Sequence, residues 1–479
     1  MGSGIVSVQA RPLTGEFESS LPVTRAEKTW GPLAIFGNTS SAAVATWCFI
    51  SGGFVAAYLG ATQGALAVTA GTLIGVFMVL LAALPAAGRY GVEAVRSTRP
   101  LFGSRGSVLT VVLTLLILIG WNAVLTIALA DASALALAEM GWLTETMIGP
   151  TAMIVAVGSA LVVFLLLRKG TATLRWAGPV VAVTVLILAV WIGIMLIIRF
   201  GIDGILSAGA LAPLPDNGSN FMLTVELGIA GGLSWWPYVG GLTRNARTTR
   251  AAIVPSVLGL GVMMSLVLII GLIAALVVPE SGGDPTGYLI EIGGPVFGVV
   301  ALSFLALANV GTIMVGAYSA ALGLKQIPTI DRRVPWSVAV AVVMLPVLVI
   351  AVFFADAYMA NYGAFITLAG ILLGPICGMQ IVDFFLVRRQ ELDIRALYSV
   401  NGSGSYWYFA GINPAGIVGL IVGMGTYLAL LDPFTYVPPV DLGVIAAAVP
   451  AAIAAGVVYL IILRFVPRLW SSRRITTDS

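Results

Sequence analysis

Residues 226–244 read ELGIAGGLSWWPYVGGLTR, from Glu226 to Arg244. The stretch is apolar enough to cross a membrane, yet Gly228, Gly231, Gly232, Gly240 and Gly241 surround Ser234-Trp235-Trp236-Pro237. Proline has no backbone N–H to give a helix, and glycine relaxes the backbone, so a helix entering at Glu226 is expected to break here. In lipid, unpaired peptide groups survive only where they are buried in protein or line a cavity. A break therefore marks a site. Close packing of small residues explains any single membrane glycine better, but a glycine cluster joined by one proline and two tryptophans favours the break.

A second interruption, Thr46-Trp47-Cys48-Phe49-Ile50-Ser51-Gly52-Gly53, lies five apolar runs earlier. Broken segments at corresponding positions of two halves are the sequence mark of an inverted-repeat transporter. The rest of the chain fits. Hydrophobic residues make up 59% of its 479 residues and charged ones 9%, with a mean hydropathy of +1.04, against about a quarter charged in soluble domains. At about 20 apolar residues per crossing, the runs place spans near 34–57, 65–85, 107–137, 151–167, 179–200 and 221–241. Six more lie near 253–278, 295–324, 335–354, 360–383, 414–431 and 442–463. The organisation expected is all-α: a tail over 1–33, a first repeat over 34–200, a second over 221–383, peripheral spans over 414–463 and a tail over 464–479. The first thirty residues have no apolar core of a signal peptide and are read as a flexible tail.

The basic residues test this parse, because cytoplasmic loops carry the positive charge. Arg11, Arg25 and Lys28 precede span 1; Arg89, Arg96, Arg99 and Arg105 follow span 2; Arg168, Lys169 and Arg175 follow span 4. Arg244, Arg247 and Arg250 follow span 6, Lys325, Arg332 and Arg333 follow span 8, Arg388, Arg389 and Arg395 follow span 10, and Arg464, Arg468, Arg473 and Arg474 close the chain. Arg199 alone falls opposite, where Glu139, Glu145, Asp203, Asp216, Glu280, Asp284, Asp432 and Asp441 collect. Both termini are thus expected in the cytoplasm, with the chain in a bacterial-type inner membrane. The net charge of +3 follows from this distribution and needs no nucleic-acid partner.

There is no histidine, and Cys48 and Cys377 each sit in an apolar run, so neither a metal cluster nor a disulfide framework is indicated. No Walker loop or nucleophile–histidine–acid arrangement is present, and the chain does not read as an enzyme or an ATP-driven pump. Carboxylates inside a membrane are costly and mark function; Asp131 and Glu226 qualify as proton or counter-ion sites, whereas Asp356 and Asp383, near span ends, are expected to be solvated.

These motifs resemble those of the nucleobase:cation symporter-1 family, which includes cytosine, hydantoin, allantoin and hydroxymethylpyrimidine permeases. Arg99-Pro100-Leu101-Phe102-Gly103-Ser104-Arg105-Gly106 resembles the family's R-x-x-F-G-x-x-G loop, Gly120-Trp121-Asn122-Ala123 resembles its span 3 motif, and Glu226 to Arg244 resembles its span 6 pattern. The family's usual Asp is here Gly241. The resemblance implies a leucine-transporter-type 5+5 inverted repeat with broken helices 1 and 6, working by alternating access. It also implies a substrate between spans 1, 3, 6 and 8, with Trp121 stacking on a heterocycle. The family's second stacking tryptophan falls at Gly232, its role passing to Trp235 or Trp236, and its span 3 glutamine is Leu125. For the coupling ion, Na+ or H+, the resemblance implies a sodium site from carbonyls near Ala45 and Cys48, the Ala308 carbonyl and the Thr312 hydroxyl, with Gly311 replacing a second hydroxyl.

From the residues themselves, a planar ring with amide edges wants aromatic faces and a few convergent polar groups. Trp121 with Trp235 or Trp236 can supply the faces, and Asn122, Ser51 and the peptide groups freed near Gly52 and Gly232 the edges. Trp30 and Trp142 read as interfacial anchors, and Trp47 stays open between packing and binding. A competing reading keeps the fold but carries an amine or amino acid, with Asp131 or Glu226 as counter-ion.

Overall fold

A computed structural model describes residues 21–168, 174–399, 402, 404–440 and 446–466, with side chains omitted over 174–182. Arg11, Lys169, Asp441, Arg468, Arg473 and Arg474, and most of both expected tails, lie outside the described residues. Every expected span has a helical counterpart: α1 (Pro32–Ala43) and α2 (Thr46–Ala56), α3 (Ala61–Tyr90), α4 (Val108–Glu139), α5 (Ile148–Leu167) and α6 (Leu174–Ser207). Then follow α7 (Asn217–Leu233) and α8 (Trp236–Thr243), α9 (Thr249–Val277), α10 (Pro285–Leu324), α11 (Trp336–Phe353), α12 (Tyr362–Val387), α13 (Pro414–Leu430) and α14 (Ala448–Phe465). Among the described residues, 9 helices are long and apolar enough to cross a membrane, or 10 when α1 and α2 count as one bent span.

Span 1 is interrupted by a sharp bend and span 6 by a two-residue turn whose residues keep right-handed helical angles, and neither interruption is made by the glycines. Span 1 bends by 59° between α1 and α2, at Val44 (φ −93°, ψ 100°) and Ala45 (φ −150°, ψ 173°), ahead of the expected motif. Gly52 and Gly53 are helical; a Cβ on Gly52 would collide with the Leu268 carbonyl of α9, and one on Gly53 with Gly282. Span 6 breaks at Ser234–Trp235, with Pro237 in the first turn of α8. There the missing N–H costs nothing, because first-turn donors have no partner inside a helix.

The glycines instead bring backbones together. Gly228 and Gly232 of α7 interlock with Gly71 and Gly75 of α3, and in each case a Cβ would meet the other helix's main chain. On the other side Gly271 of α9 seats against the Phe49 carbonyl of α2, as Gly52 does against Leu268. Small residues are what permit such contact where apolar lipid gives helices no hydrophobic reason to associate. The result is a reciprocal pattern: both halves of span 1 pack on α9, both halves of span 6 pack on α3, and α4 packs along α10.

The basic loops share one end of the bundle. Lys28 donates to the Gly88 carbonyl at 2.6 Å, Arg247 to Thr29 at 3.2 Å, Arg96 to Gln326 at 2.9 Å and Arg89 to Gln390 at 3.0 Å. In the loop after α3, Gly103 takes φ +89° and abuts the Gly411 carbonyl, so a side chain is excluded on both counts. Arg99 beside it is buried, and that burial, reinforced by neighbouring Arg96, pulls its guanidinium down to about 10. Asp383 departs from expectation: only 3% exposed, it pairs with Arg388 at 2.7 Å and accepts from the Tyr459 hydroxyl at 2.6 Å, locking α12 to α14.

Candidate substrate cavity at the helix breaks

The two breaks face one another across a cavity. Ala42 and Trp47 of span 1, Trp121 and Leu125 of α4, Ser234, Trp235 and Tyr238 at the span 6 break, and Thr312 and Val315 of α10 line a space of about 20 Å³, room for a water rather than for a ring. A neighbouring space of about 10 Å³ is bounded by Ser51, Phe54, Gly228, Gly231, Met264 and Ile366, and shares Trp47 and Trp121 with the first. These two indoles therefore form the partition between the compartments.

The lining is aromatic. Trp47 lies with its ring centroid 4.7 Å from that of Trp121 and 6.0 Å from that of Trp235. Trp121 meets Phe365 edge-on at 5.1 Å and Tyr362 at 6.2 Å, and Trp235 meets Tyr238 at 5.2 Å. The Trp235 indole N–H donates to the Met264 sulfur at 3.3 Å, whereas Trp121 Nε1 is buried with no hydrogen-bond partner. A buried donor left unpaired is unfavourable, so this indole offers a bond to an acceptor that enters the cavity. Ser51 Oγ lies 2.5 Å from the Tyr362 hydroxyl and donates to the Trp47 carbonyl at 2.8 Å.

Trp121, Trp235, Ser51 and Thr312 thus sit together around the two compartments; several other expected site residues sit elsewhere. Trp236 is fully buried behind the break, where its indole donates to Gln380 at 2.8 Å. Asn122 is turned toward Gly316 of α10 and donates to its own Leu118 carbonyl at 2.8 Å. Gly52 and Gly232 are spent on helix packing. Asp131 is exposed on the surface of α4. Glu226 is 1% exposed but points to the opposite side of α7, toward the N-terminus of α14. No carboxylate lines either compartment among the described residues.

At the expected ion site, Ala45 caps α2 and its carbonyl accepts from Cys48 N at 3.0 Å, while Cys48 Sγ donates to the Ala43 carbonyl at 2.9 Å. Thr312 Oγ1 is only loosely held by the Ala308 carbonyl at 3.5 Å, so its lone pairs remain available. Oxygen donors of this kind suit a hard cation. Sequence reading missed the residue that ties the two elements together: Thr46 Oγ1 donates to Asn309 Oδ1 at 2.6 Å, both side chains fully buried. It also missed Tyr238, Tyr362 and Phe365. Asn309 stands beside Ala308 and one turn from Thr312, and that adjacency was the available signal.

A family profile described as permease for cytosine/purines, uracil, thiamine and allantoin matches residues 22–458. A purine-uracil permease of Arabidopsis thaliana is 24% identical over 424 residues, 78% of this chain and 64% of that protein, so the chain spans under two thirds of that relative's length. A hydantoin permease of Microbacterium maritypicum is 25% identical over 412 residues, 82% of this chain and 80% of that protein. Among solved structures, Mhp1, a nucleobase-cation-symport-1 family transporter in a closed conformation with bromovinylhydantoin bound, superposes with a TM-score of 0.75 at 20% identity, covering 95% of this chain and 99% of that one. A Na+-coupled sialic acid symporter in its outward-open state gives a TM-score of 0.62 at 14% identity, covering 92% and 91%.

Proposed function

We propose, from the premise that this chain belongs to the family of permeases for cytosine/purines, uracil, thiamine and allantoin, that it is a secondary active transporter importing a nucleobase-like heterocycle by cation symport. The observation that carries the reading is the group of Trp47, Trp121 and Trp235 placed where both broken spans meet. Flat aromatic faces favour a flat ring, and the unpaired Trp121 N–H favours one bearing a carbonyl. An amine or amino acid would need a counter-ion, and neither Asp131 nor Glu226 reaches the cavity. The heterocycle reading is therefore preferred.

The reciprocal packing of span 1 on α9 and span 6 on α3 supports a 5+5 inverted repeat over 34–200 and 221–383, and with α13 and α14 as peripheral additions the chain is read as having twelve spans. Alternating access would tilt one bundle about the fixed cavity. The arginine-rich end is assigned to the cytoplasm and the chain to the inner membrane, with its termini inside. Thr312, Ala308, Ala45 and Cys48 are proposed to hold Na+ when it is the coupling ion.

Tryptophan-fluorescence quenching and thermal shift, run on cytosine, purines, uracil, hydantoin, allantoin and aliphatic amines with and without sodium, test the reading, since a ligand of the folded state raises its stability. A heterocycle that both quenches and stabilises is expected. A response to amines alone would overturn it.

A further inference from the structure

We propose that Glu226 is a proton-binding site, reached from the end of the bundle opposite the arginine-rich loops and separate from the aromatic cavity. Its consequence for transport rests on the permease reading; the protonation itself does not.

Glu226 sits in the middle of α7, buried against α12, α13 and α14. Its Oε2 accepts from the Ala448 N–H at 2.9 Å, at the first residue of α14, and the Ala447 N–H and the Tyr427 hydroxyl also lie against the carboxyl group. The Tyr427 hydroxyl of α13 borders the same space: a Cβ placed on Gly370 of α12 would lie 2.9 Å from that hydroxyl and 3.1 Å from Glu226 Oε1. Facing it, α12 presents Gly370, α13 Tyr427 and α14 only backbone. Among the described residues, the titratable groups near the carboxyl are Tyr427 and, beyond it, Tyr436; no lysine or arginine compensates it. On its own helix, Asp216 is exposed at the far N-terminus, where it accepts from Ser219 N.

A buried carboxylate without a cation is costly, and neutral donors at a helix N-terminus meet only part of its need. Binding a proton removes the charge. The neighbour suits both states: with Glu226 ionised, the Tyr427 hydroxyl can donate to Oε1; with the proton on Oε1, the carboxyl can donate to the Tyr427 oxygen. A route for the proton is present too. A pocket of about 50 Å³ runs from Glu226 past Met222 and Ser219 to Tyr436 and Pro438 in the connection before α14. The proton enters as a hydron from water in this pocket, forms the O–H bond at Oε1, and leaves the same way or to the other side when α7 moves.

The helix itself links this site to the substrate. Leu227, Gly228 and Gly231, on the other face of α7, line the compartment behind Trp47 and Trp121. Charge lost at Glu226 changes the seat of α7 on α12 and α14, and hence that wall.

Infrared difference spectra of the full chain in liposomes, taken across a pH step without ligand, test the protonation directly. A carboxyl C=O stretch that appears on acidification in the parent and is missing from Glu226→Gln is expected; a band displaced in Glu226→Asp replaces this arm if Glu226→Gln fails to fold. Identical spectra in parent and variants would overturn the proposal. In parallel, one linked proton predicts uptake that changes about tenfold per pH unit over part of the range, reduced to less than about twofold in Glu226→Gln with fluorescence-measured affinity kept. A pH slope kept intact in that variant would overturn the link to transport. If the parent binds no heterocycle, the permease reading fails while the infrared arm still decides the proton site.

Discussion

Trp47 of the broken first span and Trp121 of α4 share an indole contact, centroids 4.7 Å apart at an angle of 58°, and border both compartments at the centre of the bundle. The tilt leaves neither ring fully stacked on the other. On the proposed function, a flat ligand beside Trp121 would gain a face and meet the unpaired Nε1–H.

Replacing Trp121 with Ala should remove that face. Stacking of a base on an aromatic side chain is worth about 1–3 kcal/mol, or roughly 5- to 150-fold in affinity, whereas Trp121→Phe should retain most stacking and lose the donor. Equilibrium binding of the best heterocycle to both variants, with circular dichroism to confirm folding, checks this. Unchanged affinity in Trp121→Ala would defeat the stacking role.

The resemblance places the family's second stacking tryptophan at Gly232, and by sequence logic alone restoring a tryptophan there would improve binding. The structure says otherwise. A Cβ at Gly232 lies 2.7 Å from Val76 N and 2.8 Å from the Thr72 carbonyl of α3. Backbone cannot yield as a side chain can, so Gly232→Trp should destabilise by at least the 1–3 kcal/mol typical of overpacking. Detergent thermal unfolding checks it: a clear fall in midpoint is expected, with no gain in affinity.

At the expected ion site, Thr312→Ala should raise the sodium concentration for half-maximal uptake, because it deletes a hydroxyl oxygen facing the cavity. Equal uptake by the parent in sodium-free buffer would exclude sodium coupling. The neighbouring Thr46–Asn309 bond at 2.6 Å calls for a double-mutant cycle. Thr46→Val and Asn309→Leu should each destabilise, and together by less than their sum, with a coupling of about 0.5–3 kcal/mol.

Asp383→Asn tests the buried pair at the arginine-rich end. Arg388 and Asp383 side chains are 7% and 5% exposed, so removing one charge strands the other, a loss of about 3–5 kcal/mol. Thermal unfolding of Asp383→Asn, Arg388→Met and the double variant measures it. The double variant should be more stable than Asp383→Asn.

How much of this was readable beforehand depended on dimension. Length, hydropathy and the spacing of Lys and Arg are properties of a line, and a bilayer reads them along a line, so the helices and the gathering of basic loops at one end followed directly from the residues. Pro237 after two tryptophans located the span 6 break within about three residues, because a missing N–H acts locally. Which way a residue faces does not act locally. Trp235 and Trp236 are neighbours of identical chemistry, yet a helix turns about 100° per residue, so one reaches the cavity and the other Gln380. The same rotation turned Glu226 away from the aromatic cavity, carried Gly232 into α3, and left span 1 to bend at Val44–Ala45 while its conspicuous glycines packed against their neighbours. Only the packing of helix on helix, spread over partners hundreds of residues apart, decided those outcomes.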